Sequence, residues 1–255
     1  MGPLGFYNIC LKTDHLKETV GFYRRLGFAP VGEDAPGLRV SLANGDDALT
    51  FMTFLGGNLV NFRGAHIHRL MNEILAADVV VAGYNEMPDQ QPLMLDEEGE
   101  PLPDNECGHF TVHDPDGHEL FFNTHPHERA TFEAALAGKA RERDHEDILP
   151  GRLVYCLDVT DLDASSAFYE TLGLRVRREG DGAWITPPAR YRAIRFLLQL
   201  RESRKAGSRL RFYGGVRPVD LLRPLGFTRN ALGWVGTDPD RRRLEFLVES
   251  PMPHR

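Results

Sequence analysis

The 255-residue chain contains an internal repeat that covers most of its length, and this repeat constrains its fold more than any other feature. The segment CLKTDHLKETVGFYRRLGF, beginning at Cys10, aligns without a gap on CLDVTDLDASSAFYETLGL, beginning at Cys156, at an offset of 146 residues. A second pair of matching segments, DPDGHELFF from Asp114 and DPDRRRLEF from Asp238, follows at an offset of 124 residues. The first copy is therefore 22 residues longer. Self-similarity of this kind predicts two copies of one structural unit.

Composition between the matching segments suggests where the two copies end. Residues 85–106 are rich in Pro, Asp and Glu, which is typical of an irregular loop, and we interpret them as an insertion in the first copy. Residues 127–150 are charged and rich in Ala, and we expect a helical linker there. The predicted domains are therefore residues 1–126 and residues 151–255.

Each copy opens with the pattern of a short strand followed by a helix. The strands are expected over residues 7–13 and 153–159, and apolar residues then recur at helical spacing. Asp14 is the expected N-cap of the first helix, and Thr160 with Asp163 predicts a capping box in the second. Further strands, a second strand–helix unit and a closing hairpin follow in each copy. The chain is therefore predicted to hold four βαβββ units.

This doubled pattern resembles the vicinal oxygen chelate superfamily, the family of glyoxalase I, the extradiol dioxygenases and the bleomycin-resistance proteins. The resemblance rests on the strand, the Phe-Tyr-x-x-Leu-Gly helix ending that occurs twice, and the Asp-Pro-Asp hairpin near the end of each copy. It implies an α+β fold in which the four βαβββ units form two tandem glyoxalase-like domains with concave mixed sheets. A fold hosts many activities, so activity has to be argued from the site.

The resemblance also implies three metal-ligand positions per copy, which the metal enzymes of the family fill with His, His or Gln, and Glu. Carried over to this chain, the positions hold Asn8, Leu59 and Phe121 in the first copy and Val154, Arg209 and Glu245 in the second. Asn is a poor transition-metal ligand, and Leu, Val and Phe cannot bind a metal at all. We therefore expect no metal and no other cofactor. A divalent metal held by a different set of ligands, drawn from the ten histidines, is the alternative.

Strand alternation predicts which side chains of the first copy face the concave side of its sheet. The expected ligand-binding residues are Asn8, Lys12, Asn61, Arg63, Phe110, Glu119, Phe121 and Asn123, with Phe110 directly opposite Phe121. An aromatic floor with several polar groups is typical of a small-molecule pocket. Lys12 and Arg63 could bind a carboxylate, a phosphate or an enolate. The alternative is that Lys12, Arg63 and Glu119 pair with one another and only close the sheet.

In the second copy, Arg211, Tyr213 and Trp234 are the expected ligand-binding residues. Trp234 is predicted to lie across from Glu245, with Arg243 beside it. A carboxylate next to an indole can have a raised pKa and serve as a general acid or base, which makes Glu245 the candidate catalytic residue. The alternative is a plain ion pair between Glu245 and Arg211 or Arg243.

Three further features carry structural expectations. Arg241 stands where the first copy has Gly117, and since Arg reaches positive φ less readily than Gly, the second hairpin turn is predicted to be altered or strained. His113 and His118 flank the first hairpin turn and are expected to pair across it. Cys10 and Cys156 are expected to be buried structural thiols rather than nucleophiles.

The net charge of −7 is distributed unevenly along the chain. Residues 1–150 hold 11 Lys and Arg against 25 Asp and Glu, whereas residues 151–255 hold 19 against 12. We interpret this as two halves that attract each other, with an anionic ligand of the second half as the alternative. The basic residues match no nucleic-acid reader, so no nucleic-acid partner is expected. The lack of a long apolar run, of a signal peptide and of a disulfide framework predicts a cytoplasmic protein with no membrane partner.

Three hypotheses for function follow. The leading one is a small-molecule-binding protein of the glyoxalase and bleomycin-resistance type, without the usual metal, that binds an organic ligand on the concave face of the first domain. The second is a metal-dependent lyase, isomerase or dioxygenase with an unusual ligand set. The third is a non-catalytic interaction protein with degenerate cavities. Whether the protein is an enzyme is left open. The habit of the family favours a homodimer, and a monomer whose four units close on themselves is the alternative.

Overall fold

Two mixed β-sheets, one from each copy of the repeat, form the framework of the protein. The computed structural model describes residues 4–31, 35–44, 47–64, 67–82, 108–124, 151–186, 197–214 and 222–247. Within them the first sheet has seven strands and the second has eight, and the helices lie between strands along the chain. The predicted α+β fold is thereby confirmed. None of the helices in the described part of the chain is long and apolar enough to cross a membrane.

The first sheet is built around a long central strand. Its elements are β1 (Leu4–Lys12), α1 (Leu16–Arg25), β2 (Ala29–Pro30), β3 (Arg39–Asn44), β4 (Asp47–Met52), β5 (Leu59–Gly64), α2 (Ile67–Ala76), β6 (Gly108–His113) and β7 (Glu119–Thr124). The strand order is β2-β3-β4-β1-β5-β7-β6. β1 runs parallel to β4 and antiparallel to β5, so the two units of this copy join at the middle of the sheet.

The second sheet repeats this plan. Its elements are β8 (Gly151–Val159), α3 (Leu162–Thr171), β9 (Arg175–Glu179), β10 (Gly182–Thr186), β11 (Leu197–Glu202), β12 (Gly207–Gly214), a 3-10 turn (Arg223–Leu225), β13 (Thr228–Arg229), β14 (Gly233–Thr237) and β15 (Arg243–Leu247). The strand order is β13-β14-β15-β12-β8-β11-β10-β9. β8 and β12 pair antiparallel at the centre, as β1 and β5 do in the first sheet.

The second unit of the first copy is described only in part. After α2 the described residues continue to Ala82, which forms an isolated bridge with Thr111 of β6. The predicted insertion loop (85–106) and helical linker (127–150) lie outside the described residues. The two domain boundaries therefore stay predictions.

The aromatic core extends across both copies of the repeat. Within the copies, Phe62 stacks on Phe122 at 4.9 Å between ring centroids, and Phe212 stacks on Phe246 at the same distance. Between the copies, Phe28 contacts Phe212 edge-on at 6.2 Å. Burying one such side chain contributes roughly 1.5–3 kcal/mol, so the shared core ties the stability of one copy to that of the other.

Helix capping differs from the sequence-based expectation in both copies. The N-cap of α1 is His15, without a side-chain capping bond, rather than Asp14. The N-cap of α3 is Asp161, whose carboxylate accepts from the backbone N–H groups of Asp163 and Ala164, rather than Thr160. Asp14 and Thr160 instead contact the opposite copy.

The two closing hairpins dock reciprocally on the opposite copies. We call residues 114–118 and 238–242 the first and second hairpin tips. Tyr169 of α3 donates to Asp114 Oδ2 at 3.2 Å, and Tyr23 of α1 donates to Asp238 Oδ2 at 3.0 Å. Each first aspartate also accepts two backbone N–H groups of its own tip through Oδ1. The repeated Asp and the repeated Tyr therefore serve the contact between the copies.

The second aspartate of each tip lies at the N-terminus of the opposite helix. Asp116 accepts from the Thr160 N–H and hydroxyl ahead of α3, and Asp240 accepts from the Asp14 N–H and the Thr19 hydroxyl at the start of α1. A carboxylate at a helix N-terminus is stabilised by the helix dipole. These matched contacts give the two copies a pseudo-twofold interface.

The last residue of each tip completes the pattern. His118 Nε2 lies 2.9 Å from the carbonyl oxygen of Asp158, and Arg242 donates to the carbonyl oxygen of Lys12. His118 therefore contacts the second copy instead of pairing with His113 across its own turn. The partner of His113 on the neighbouring strand is Glu119.

Candidate functional site

Strand alternation places polar side chains on the face of the first sheet that lies opposite the helices. On β1, Ile9 and Leu11 belong to the core, so Asn8 and Cys10 lie on the other face. Asn8 Nδ2 donates to the Thr50 hydroxyl at 2.7 Å, and the Cys10 thiol lies 3.4 Å from Asn8 Oδ1. This face therefore holds a hydrogen-bonded amide, thiol and hydroxyl network.

Two more buried amides lie on this face. Asn61 lies level with Asn8 on β1 and with Phe121 on β7, and Asn123 follows Phe121 two residues later. Asn61 is 6% exposed and Asn123 is 5% exposed, and the Oδ1 atom of each has no hydrogen-bond partner. Leaving a buried acceptor unpaired costs about 1–3 kcal/mol, so both oxygens favour an added donor.

An aromatic pair lies beside these amides. The Phe121 ring stacks on His109 with 5.4 Å between ring centroids and 27° between planes. His109 is the residue that β6 places across from Asn123. The face thus combines flat ring surfaces with amide oxygens that can accept hydrogen bonds. Such a combination suits a planar organic molecule with hydroxyl or amino donors.

The prediction for Phe110 was wrong. Phe110 pairs with Phe122 rather than Phe121, and it stacks on Phe122 in the core at 4.9 Å. The hairpin closes with His113 across from Glu119, so its loop has five residues, one more than the Asp-Pro-Asp-Gly turn alone suggests. A shift of one residue moves every side chain of the strand to the other face. The residue across from Phe121 is Thr111.

The expected trio of Lys12, Arg63 and Glu119 is only partly described. The Lys12 ammonium lies 3.7 Å from the Asp14 carboxylate, and the Lys12 side chain is 39% exposed. Burial raises the pKa of Glu119, with the charge of His113 opposing that shift. The side chain of Arg63 lies outside the described residues. Lys12 therefore has Asp14 as its ionic partner.

On the second sheet, three arginines surround one carboxylate. Arg211 Nε donates to Glu245 Oε2 at 2.7 Å, Arg243 Nε donates to Oε1 at 2.7 Å, and Arg209 lies 3.3 Å from Oε1. Burial alone would raise the pKa of Glu245, but the charges of the arginines and the hydrogen bond from Arg211 hold it below its usual value. Glu245 is therefore ionised at neutral pH, and the ion-pair alternative describes it.

The predicted contact between Trp234 and Glu245 was wrong. Trp234 pairs with Phe246 and packs against the main core, whereas Val235 is the residue across from Glu245. The cause is again a five-residue loop, since Thr237 pairs with Arg243. Trp234 therefore does not lie beside Glu245, and the argument for a general acid or base that rested on this contact is lost.

The neighbours of this cluster are polar and thiol groups. Arg209 also binds the Asp158 carboxylate, and Arg211 donates to Gln199 Oε1 at 3.0 Å. Burial raises the pKa of the Cys156 thiol to about 11, so it stays protonated at neutral pH. Because the thiolate is the nucleophilic form, Cys156 is a structural thiol, as expected.

The residues at the family's metal positions do not fit a metal ion. In the second sheet the register aligns Val154, Arg211 and Glu245 in one row, so Arg211 rather than Arg209 stands level with the carboxylate. A guanidinium has five N–H donors and no acceptor, and it cannot ligate a metal. In the described part of the chain, no group of three or more His, Cys, Asp and Glu side chains could hold a metal ion. We derive no chemical step through one.

Comparison with known proteins gives matches among solved structures alone. No protein-family model matches the chain, and no curated protein sequence does. A catechol 2,3-dioxygenase superposes with a TM-score of 0.57 at 12% identity, covering 100% of this chain and 91% of that one.

Two further solved structures superpose over nearly the whole chain. Homoprotocatechuate 2,3-dioxygenase from Brevibacterium fuscum, solved in complex with 3,4-dihydroxyphenylacetate, gives a TM-score of 0.56 at 13% identity, covering 99% and 87%. The Mn(II)-bound glyoxalase from Novosphingobium aromaticivorans gives 0.54 at 13% identity, covering 99% and 88%. At such low identity the likeness concerns the fold. The chain therefore shares the fold of these dioxygenases and this glyoxalase, which is the fold that the sequence resemblance implied.

Proposed function

We propose that the protein binds a small organic ligand on the concave face of its first sheet, and that it does so without a metal ion. The observation that carries this proposal is the pair of buried amide oxygens, Asn61 Oδ1 and Asn123 Oδ1, that have no hydrogen-bond partner. Each oxygen lies on the face that also holds the Phe121–His109 stack. A ligand that donates to these oxygens would remove the free-energy penalty of leaving them unpaired.

The chemistry of this face selects the class of ligand. Amide oxygens accept hydrogen bonds from hydroxyl or amino groups, and aromatic faces favour planar rings. The expected ligand is therefore a planar ring with one or two hydroxyl or amino substituents. The binding of 3,4-dihydroxyphenylacetate by a protein of the same fold supports this choice of class.

A metal-dependent enzyme is the weaker candidate. Its ligand set would have to include side chains outside the described residues, because the described ones contain no group of three or more possible ligands. Among the described residues, no contact favours the third hypothesis, a protein whose only task is interaction with another protein.

The test is a binding titration with catechol and a panel of small phenols and anilines, in the presence of a chelator. We expect a phenol or aniline to bind, and we expect Asn61→Leu or Asn123→Leu to weaken binding about tenfold, the effect of losing one buried hydrogen bond. Leu has the same branched shape and the same number of side-chain heavy atoms as Asn, and it has no acceptor. Asn230→Ala, in the exposed turn before β14, is the control and should bind like the wild type.

Two outcomes would overturn the proposal. One is that no member of the panel binds. The other is that binding is unchanged in both Asn61→Leu and Asn123→Leu while circular dichroism shows that both variants are folded.

A further inference from the structure

The second sheet carries a positively charged cluster at the level where relatives of this fold hold a metal. We define the arginine cluster as Arg209, Arg211, Arg243, Asp158 and Glu245. Arg211 and Glu245 are both about 5% exposed, and all five side chains are joined by ion pairs. In place of a metal cation, this row therefore contains guanidinium groups.

The arginine cluster has more positive than negative charge. Three guanidiniums face two carboxylates, which leaves one positive charge without a counter-charge within the cluster. Two further ion pairs of the second copy, Arg177–Glu179 and Arg201–Asp181, each match one positive charge with one negative charge. The net positive charge of the cluster attracts an anion from solvent, which the 53% exposed side chain of Arg243 can contact.

Hydrogen-bond donors are still available in this cluster. The Nε–H of Arg209 is buried and has no hydrogen-bond partner. The exposed fraction of the side chain rises from 6% at Arg211 to 14% at Arg209 and 53% at Arg243. The guanidiniums therefore lead from solvent towards the buried carboxylate, and an anion arriving from solvent meets Arg243 first and Arg209 next.

A small apolar group lies next to the charges. Val154, Trp184 and Tyr213 form a buried cluster separate from the main core, and Leu197 and Leu247 pack against it. Val154 lies level with Arg211, and Tyr213 follows Arg211 two residues later on β12. A ligand anchored at the guanidiniums would therefore place its hydrocarbon body against these side chains.

We propose that the arginine cluster and this apolar group form a second binding site, for a small carboxylate with an apolar or aromatic body. Guanidinium groups bind carboxylates through paired charge-assisted hydrogen bonds, which fits the free donor of Arg209. The excess of basic over acidic residues in 151–255 adds a favourable field for an anion. This site is distinct from the one proposed on the first sheet.

The test uses the full-length protein and three probes in a calorimetric titration at low salt. Phenylacetate carries the charge and the ring, 2-phenylacetamide has the same shape without the charge, and acetate has the charge without the ring. We expect phenylacetate to bind about tenfold or more tightly than either of the other two, the difference made by one charge-assisted contact or one buried ring.

Variants locate the binding. Arg209→Gln should weaken phenylacetate binding about tenfold, and Arg211→Gln should weaken it at least as much. Arg201→Gln, which removes an exposed arginine paired with Asp181 on the same sheet, is the matched control and should leave the affinity unchanged. Asn61→Leu should also leave it unchanged, which separates this site from the one on the first sheet.

Because Arg211 is deeply buried, the affinity of Arg211→Gln is interpreted only if circular dichroism shows that this variant is folded. If it is not folded, Arg209→Gln alone tests the proposal. Three outcomes would overturn the proposal: equal binding of phenylacetate and phenylacetamide, no binding of phenylacetate, or unchanged affinity in Arg209→Gln. Each would show that the ion pairs of the arginine cluster only stabilise the sheet.

Discussion

Arg241 and Gly117 occupy the same place in the two hairpin tips but differ in backbone freedom. Gly117 has φ +83° and Arg241 has φ +63°, so both copies keep the left-handed turn. The turn is therefore retained rather than altered, and the second copy holds a non-glycine residue in a conformation that costs roughly 1 kcal/mol for an L-residue.

Arg241→Gly should raise the free energy of unfolding by about 0.5–1 kcal/mol, because it relieves that backbone strain. The matched change, Gly117→Ala, should lower it by a similar amount. A Cβ added at Gly117 meets no atom within 4 Å, so only the backbone contributes to the difference. Urea denaturation of both variants measures these values, and a stability of Arg241→Gly equal to or below that of the wild type would contradict the strain.

Glu245 should make the stability of the fold depend on pH. Its pKa is held below the usual value in the folded state, so its contribution is complete above the unfolded-state pKa and is lost as the pH falls through the folded-state value. The difference in unfolding free energy between the wild type and Glu245→Gln should be largest near neutral pH. It should shrink below roughly pH 4.5, where the unfolded chain takes up the proton. A difference that stays constant from neutral pH to pH 3 would refute the ion-pair account.

At the scale of the elements, the closing hairpins connect the two copies. Each tip presents one aspartate to a tyrosine of the opposite helix and a second aspartate to that helix's N-terminus. The Phe-Tyr and Asp-Pro-Asp segments that reveal the repeat in the sequence are therefore the parts that hold the copies together.

Tyr23→Phe and Tyr169→Phe should each lower the free energy of unfolding by about 1–2 kcal/mol, because each removes a buried hydrogen bond to a tip aspartate. Thr228→Val is a suitable control, since the exposed hydroxyl of Thr228 makes only a 3.4 Å contact within one sheet. This change should alter the free energy of unfolding by less than about 0.5 kcal/mol. Thermal or urea denaturation provides the comparison. If the tyrosine variants are as stable as this control, the hydrogen bonds to the tip aspartates do not contribute to the free energy of unfolding.

The sequence was sufficient to predict the strand–helix openings and the two hairpins, because periodicity and the repeated Gly and Asp residues have local physical causes. It was not sufficient for the register of the hairpins. The carboxylate of the first tip aspartate accepts the N–H of the fifth residue and so lengthens the loop by one residue, which composition does not reveal. The predicted faces of Phe110 and Trp234 are consequently wrong. The register between β5 and β7, and between β12 and β15, does not depend on the tips. The predicted faces are therefore right for the residues on these strands, namely Asn61, Asn123, Phe121 and Arg211.

For the whole molecule, the two copies share one hydrophobic core as well as the reciprocal tips. Phe22 of α1 stacks near Phe227 of the second copy, and Asp47 of the first sheet accepts from the Leu153 N–H of the second. The net charges of the two halves, −14 and +7 in the sequence, attract each other and so also favour the contact between the copies. The copies should therefore unfold together.

Tryptophan fluorescence offers a direct check, because Trp184 and Trp234 are the only tryptophans and both lie in the second copy. Fluorescence should report the unfolding of that copy, while far-ultraviolet circular dichroism reports both. We expect coincident transitions in urea, as for a single cooperative unit. Two separate midpoints would show that the copies fold independently.

The central claim is that this fold binds its ligands here without a metal ion, since an arginine faces Glu245 where a metal ligand would be needed. The most direct test is elemental analysis by mass spectrometry of protein purified without chelator or metal-affinity resin, from cells supplied with iron, manganese, nickel and zinc. We predict that no transition metal is present in stoichiometric amount. A stoichiometric metal that remains after dialysis would contradict the account and would favour a metal-dependent enzyme.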